Sequence, residues 1–278
     1  MSKQKTPTSL DGYDNDLFSI TPQHTDHNSH WGDKMTHKDN RTLRVYFQNI
    51  NGLPSNDHWA EWNHIISYLT KSQIDIGGFA EPNIKWTKQL TASAKRHLLA
   101  HSNPATLQTT SCDEPSKFRY QRGGVAMTTI GRMTGRIGDS SHDIQGLGRW
   151  TYTKYFGKEG RTLIVVTAYR VAQTHLTKGD NTAFNQQYGA LRRQGIDNPK
   201  PKKLFCEHLL PQVQQWTKQN FEILLMLDAN DDMENPDFGR FMDKSDLYDI
   251  LGTHHSIHSP PTYIRGPVSY TISLEQRM

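Results

Sequence analysis

The chain has 278 residues, 34% hydrophobic and 10% aromatic, enough bulky apolar material for one folded domain with appendages and too much for a disordered chain. Its net charge of +4 suits a polyanionic partner without identifying one. No apolar stretch approaches the roughly 18 residues that cross a bilayer, so no membrane association is expected, and Thr6-Pro7-Thr8-Ser9 stands where a secretory signal would carry its apolar core.

Residues 1–40 are rich in Ser, Thr, Asp, Asn and His, with Phe18, Ile20 and Trp31 following no period, and are predicted to form a disordered polar leader. Leu43, Val45 and Phe47 then alternate through a β-favouring segment that stops at Asn51-Gly52, the first strand. Trp62, Ile65, Ile66 and Leu69 fall at i, i+3, i+4 and i+7, one face of a helix preceded by the capping-type residues Ser55, Asn56 and Asp57. Ile74 to Ala80 is a short apolar strand ended by Glu81-Pro82. Cys112 has only Cys206 as a companion, with no zinc spacing, which fits a reducing intracellular compartment.

Gly124 to Thr129, Trp150 to Phe156 and Leu163 to Tyr169 are further strands, the last two a hairpin around Gly157-Lys-Glu-Gly160. The stretch from Thr174 to Lys203 is polar. Phe205, Leu209, Val213 and Trp216 then predict a helix kinked or restarted at Pro211, and Phe221 to Leu227 a buried strand. The order predicts an α/β (α+β) layered domain with helices covering sheets. Two histidine clusters, His24, His27, His30 and His37, then His254, His255 and His258, read as solvated loop residues rather than metal ligands.

Polar residues stand at the strand ends: Asn49 and Asn51, Glu81, Tyr169, and Asp228 with Asn230. Loops at strand ends commonly carry catalytic groups. A carboxylate and an amide oxygen suit Mg²⁺, which keeps waters for a phosphate substrate, while Tyr and Asn can hydrogen-bond phosphate oxygens and Asp can orient water. Singly, each has a structural explanation: Glu81 as a solvated acid, Asn51-Gly52 as a turn, Asp228-Ala-Asn as a helix cap.

Their order adds to this. Gln48-Asn-Ile-Asn-Gly-Leu53, Asp75-Ile-Gly-Gly-Phe-Ala-Glu81, Arg122-Gly-Gly-Val-Ala126, Val166-Thr-Ala-Tyr-Arg170 and Leu227-Asp-Ala-Asn230 follow one another as in the endonuclease/exonuclease/phosphatase superfamily. Over residues 41–267 the chain resembles its apurinic-endonuclease-like branch, most closely the endonuclease domains that accompany reverse transcriptases in retroelements; Leu247-Tyr-Asp249 and Pro261-Thr-Tyr-Ile-Arg-Gly266 look like that branch too. The resemblance implies a four-layer αββα sandwich with its active site at one edge of two sheets. It implies that Asn49 and Glu81 hold Mg²⁺, or Mn²⁺ in its place, that Tyr169 contacts the scissile phosphate, that Asp228 positions the attacking water and that Asn230 supports the phosphate. Asn51 and Arg170 are assigned to substrate binding, DNA is the implied partner, and the nucleus is the implied location for action on genomic DNA.

The end of the chain departs from the family. An Arg-Ile-Asp-type strand and a Ser-Asp-His motif are expected after Gly266, and the chain instead reads Pro267-Val-Ser-Tyr-Thr-Ile-Ser-Leu-Glu-Gln-Arg-Met278. Ser141-His142-Asp143 has similar letters but lies mid-chain with His and Asp reversed, and reads as a surface loop. The departure implies a sandwich lacking its last strands, a divergent tail at 268–278 and an impaired enzyme. Three readings stand: a Mg²⁺-dependent DNA endonuclease, a catalytically inactive relative that binds nucleic acid, and a phosphatase acting on a lipid or inositol phosphate. The Tyr169-Arg170 pair and the lack of a lipid anchor favour DNA.

Overall fold

The computed structural model describes residues 37–54, 58–114, 120–177, 181–231, 235–250 and 253, with the backbone of Thr271–Gln276. The chain divides into two units, Met1–Asn40 and Arg41–Met278, and the sheets and helices below belong to the second. The expected leader lies almost wholly outside the described residues, as do the proposed caps Ser55 to Asp57, the cluster His254 to His258 and the motif Pro261 to Gly266.

One sheet holds β1 (Val45–Asn49), β2 (Ile76–Ala80), β3 (Ala105–Thr110) and β4 (Val125–Ile130) in the order β1-β2-β4-β3. The other holds β5 (Ile137–His142), β6 (Trp150–Phe156), β7 (Thr162–Tyr169), β8 (Glu222–Asp228), β9 (Leu247–Asp249) and β10 (Thr271–Gln276) in the order β5-β6-β7-β8-β10-β9. The pairs β1 with β2 and β7 with β8 are parallel, and the others antiparallel.

Side-chain alternation makes the layers. On β8, Ile223, Leu225 and Leu227 pack with Phe205, Leu209, Val213 and Trp216 of α4 (Pro201–Lys218) and Phe238 and Phe241 of α5 (Pro236–Ser245). Their neighbour Met226 points the other way and meets Ile76, Met127 and Val165 between the sheets. Across the first sheet, Phe79 and Leu107 pack with Trp62, Ile66 and Leu69 of α1 (Ala60–Lys71) and Ala94 and Leu98 of α2 (Lys88–His101). The result is helices, sheet, sheet, helices, the expected αββα sandwich. Gly78 permits the sheets to approach: a Cβ there would lie 2.6 Å from Thr167 Oγ1 and 2.7 Å from Met226 Cε.

Several local expectations need correction. The N-cap of α1 is Trp59, in a left-handed conformation with no side-chain cap bond. Pro211 lies within one continuous α4 rather than restarting it; it is exposed, so the carbonyl deprived of its helical donor can be hydrated. The polar stretch after Thr174 contains α3 (Ala183–Arg193), which buries Gln186 and Gln187 beside Phe184 and Leu191. Ser141 and His142 end β5 and Asp143 is fully buried, paired with Arg149, so this segment is not a surface loop. The sheet position expected to lack its last strand is filled by β10, which pairs with both β8 and β9. The alternation of Ile272 and Leu274 with Thr271, Ser273 and Glu275 accounts for a strand there. Among the described residues no helix is long and apolar enough to cross a membrane.

Candidate active site

The period of two carries three polar side chains to one place. Val45 and Phe47 of β1, Val165 of β7 and Leu224 and Met226 of β8 face the gap between the sheets. Continuing each alternation brings Asn49, Tyr169 and Asp228 to that gap at the C-terminal ends of their strands. There Asn49 Nδ2 donates to Asp228 Oδ2 at 2.6 Å, and the Tyr169 hydroxyl donates to the Glu81 carboxylate. Asn230 donates to the Asp228 carboxylate through its backbone N–H and its side chain, and its amide nitrogen also donates to Arg170 O at 2.9 Å. Five of the sequence-derived residues, Asn49, Glu81, Tyr169, Asp228 and Asn230, thus converge on one edge of the sandwich.

Glu81 is set by its loop. It has φ 53° and lies between two neighbouring segments: its N–H donates to Gly124 O at 3.1 Å and its carbonyl accepts from Gly52 N–H at 2.8 Å. Asn83, φ 55°, fastens the same segment by accepting from Gly123 N–H at 2.7 Å through Oδ1. Asn51 (φ 44°) and Asn230 (φ 47°) are also left-handed, and non-glycine residues held this way cluster at functional sites. Gly123, φ 82°, lets its loop lie against the tyrosine, since a Cβ would be 3.4 Å from Tyr169 Cε1.

Burial sets the protonation. Asp228 is 4% exposed; desolvation pushes its carboxyl up to about 6 and the nearby Glu81 charge adds to this, while Asn49 and Asn230 oppose by donating to it. A carboxyl there is poised for proton exchange near neutral pH. The Tyr169 phenol is held well above its ordinary range by burial first, then by Glu81, so it is a hydrogen-bond donor.

One substrate-binding assignment changes. Arg170 is 1% exposed, and its guanidinium is used internally: Nε donates to Lys202 O at 2.9 Å, and Nη1 to Ala229 O at 3.3 Å and to the Asp231 carboxylate. It positions the loop after β8 rather than reaching into solvent, because buried carbonyls and a carboxylate satisfy its donors. Exposed Asn51 orients Asn49 by donating its backbone N–H to Asn49 Oδ1 at 2.9 Å.

Sequence reasoning left three residues unassigned. Asn83 is one. Arg122, exposed, acts electrostatically on Tyr169 and lies over the Tyr120 ring at 5.3 Å; an Arg directly before the Gly-Gly pair was the available signal. Lys202 donates to Asn230 O at 2.7 Å and pairs with Asp231 at 3.2 Å.

The donor set fits a hard divalent cation. Glu81 supplies a carboxylate, and Asn49 Oδ1 retains a lone pair after accepting from Asn51. Among the described residues no three His, Cys, Asp or Glu side chains are grouped as a metal site. An ion here would complete its shell with water and substrate oxygens, the habit of Mg²⁺ rather than of structural zinc.

In fold, the chain is similar to the APE2 catalytic domain of Xenopus laevis, with TM-score 0.55 and 14% identity over 84% of this chain and 82% of that one. The likeness is one of fold, two sheets packed between helices. The human Nocturnin catalytic domain with bound sulfate gives TM-score 0.53 and 14% identity over 84% and 80% of the two chains. An AP endonuclease from Archaeoglobus fulgidus gives 0.51 and 14% over 84% and 86%. No family model matches the chain, and no curated protein matches it in sequence.

Proposed function

We propose that the chain is a divalent-metal-dependent phosphodiester hydrolase domain acting on DNA. The observation that carries the reading is the joint placement of Asp228 and Glu81, one bonded to Asn49 and the other to Tyr169, at one edge of the two sheets. Similarity in fold to an APE2 catalytic domain and an AP endonuclease supports DNA as substrate class. The retroelement-type motifs quoted above support that branch, and action on genomic DNA would place the protein in the nucleus.

Glu81 and Asn49 would hold Mg²⁺ or Mn²⁺, which polarises a phosphoryl oxygen when bound. Asp228 accepts a proton from the attacking water, a role suited to its raised pKa and its fixed orientation between Asn49 and Asn230. The Tyr169 hydroxyl, turned from Glu81 to the substrate, would donate to a phosphate oxygen, while Asn230, whose amide hydrogens are taken by Asp228 and Arg170 O, holds Asp228 in place. The Tyr169 and Asn230 donors are already bonded within the site, which keeps nucleic-acid binding without turnover as the second reading.

The test is nicking of supercoiled plasmid in Mg²⁺ with a chelator control. Nicking abolished by Asp228→Asn and by Glu81→Gln is expected. Nicking indifferent to both substitutions overturns the site, and DNA binding with no nicking replaces the hydrolase by the binding relative.

A further inference from the structure

We propose that the cavity beside the active site, between the segment following β7 and the start of α4, binds a phosphate of the nucleic-acid strand flanking the scissile one. The proposal rests on the phosphodiesterase reading and gives it a second point of contact. The cavity is about 440 Å³, within the range of small-ligand sites. His175 lines it from the β7 side, Lys200, Lys202 and Lys203 from the α4 side, and Tyr188 from α3. Asp237, the one acid among the described residues of its wall, has Arg240 Nη1 at 3.7 Å.

The cations differ in availability. Lys202 is committed to Asn230 O and Asp231, which ties this wall to the phosphate side of the active site. Among the described residues Lys203 pairs with Glu207 on the helix surface at 3.3 Å, an exposed contact that contributes little. Lys200 is exposed and is the N-cap of the 18-residue α4, providing no side-chain cap bond. The positive end of that helix therefore coincides with the lysines, and both favour an anion. Tyr188, stacked on Phe184 with ring centroids 6.2 Å apart, adds an aromatic wall against which a sugar or base can rest. Phe184 packs against Tyr169 and also lines the cavity, so a strand whose phosphate lies at Tyr169 can continue into it.

The test is fluorescence anisotropy of a labelled single-stranded deoxyoligonucleotide, in chelator, across a salt series. Each phosphate contact on a single strand contributes about 0.7 to the slope of log affinity against log salt. Because the cavity takes one phosphate, the double variant Lys200→Gln with Lys203→Gln should lower the slope by about 0.7, and each single variant by a part of that. Lys158→Gln with Lys218→Gln removes the same charge from the hairpin turn and the far end of α4, and should leave the slope unchanged. Equal slopes for wild type and the cavity variants, or equal losses in the cavity and control pairs, overturn the proposal. An oligonucleotide bound with a cavity-dependent slope but never cleaved in Mg²⁺ overturns the hydrolase reading alone. Cleavage with a slope indifferent to both lysines overturns the cavity alone.

Discussion

Asn49 and Asp228 are 179 residues apart in the chain and are joined by a 2.6 Å hydrogen bond that links the ends of β1 and β8, strands of different sheets. The bond favours the charged carboxylate, against the burial that disfavours it. In metal-free Asn49→Ala protein, the Asp228 pKa should therefore rise above about 6. Urea unfolding should show a loss of about 1–2 kcal/mol. A carboxyl NMR titration checks the first, and an unchanged or lower pKa would remove Asn49 from the account of Asp228.

The Asp143 and Arg149 pair provides a test of the fold without reference to chemistry. Arg149 Nε and Nη2 donate to the two Asp143 oxygens at 2.6 and 2.9 Å, with both side chains at most 1% exposed. Asp143→Ala leaves a guanidinium buried without its carboxylate and should lose about 3–5 kcal/mol in denaturant unfolding. The double variant Asp143→Leu with Arg149→Met should recover most of that loss. If the double variant unfolds as readily as the single one, the pair holds more than its own charges.

His208 adds a pH dependence. Its Nδ1 lies 3.0 Å from Arg149 Nη2, and a guanidinium only donates, so the ring must be neutral and accept. Burial first, then the Arg149 charge, lowers its pKa below the ordinary 6.5. The unfolded chain thus binds a proton near that pH that the folded chain refuses, and stability falls as pH drops below about 6.5. Asp228 acts in the opposite sense, because its folded pKa of about 6 exceeds the ordinary 3.8, adding stability as pH falls through that window. Comparison with His208→Gln isolates the histidine: its unfolding midpoint should fall less than wild type between about pH 7.5 and about pH 5.5. Parallel falls in both proteins would show that His208 does not titrate this way.

Gly78 sets the spacing of the sheets. Gly78→Ala places a methyl group against Thr167 and Met226 and should destabilise by about 1–3 kcal/mol, because two packed sheets cannot separate locally. Gly135→Ala, where nothing lies within 4 Å of the added carbon, is the control. Similar thermal shifts for the two would show the inter-sheet contact to be soft.

How legible these features were depended on whether neighbours in the chain or neighbours in space determine them. Trp62, Ile65, Ile66 and Leu69 announced α1 because a 3.6-residue apolar period is local, and all four are buried. α2 and α3 left no such trace: α2 buries only Ala94 and Leu98, and α3 puts two glutamines on its buried face. Asn49, Tyr169 and Asp228 could be noticed as polar residues closing apolar strands. Their meeting depends on sheet order, which no local pattern contains. Arg170 reads from sequence as a solvent cation; its burial depends on carbonyls of Lys202 and Ala229 that only the tertiary structure supplies. Asn83 and Arg122 take their roles where two loops touch, which no local pattern contains either.

Tyr169 offers the cleanest separation of chemistry from packing. Its ring is buried with Ala80, Val125, Val171 and Phe184, contacts that Tyr169→Phe preserves, while its hydroxyl is the donor to Glu81. The phenylalanine variant should therefore fold, with stability changed by about 1 kcal/mol, while losing on the order of a hundredfold in plasmid nicking as one donor to the phosphate is removed. Glu81→Gln should also fold, since an amide oxygen can accept from the phenol, but it should lose the rise in melting temperature that Mg²⁺ gives the wild type. Tyr169→Phe should keep that rise. The two substitutions thus divide the site into a metal side and a phosphate side. Undiminished nicking by Tyr169→Phe removes the tyrosine from the phosphate side, and a Mg²⁺ shift that survives Glu81→Gln removes the glutamate from the metal side.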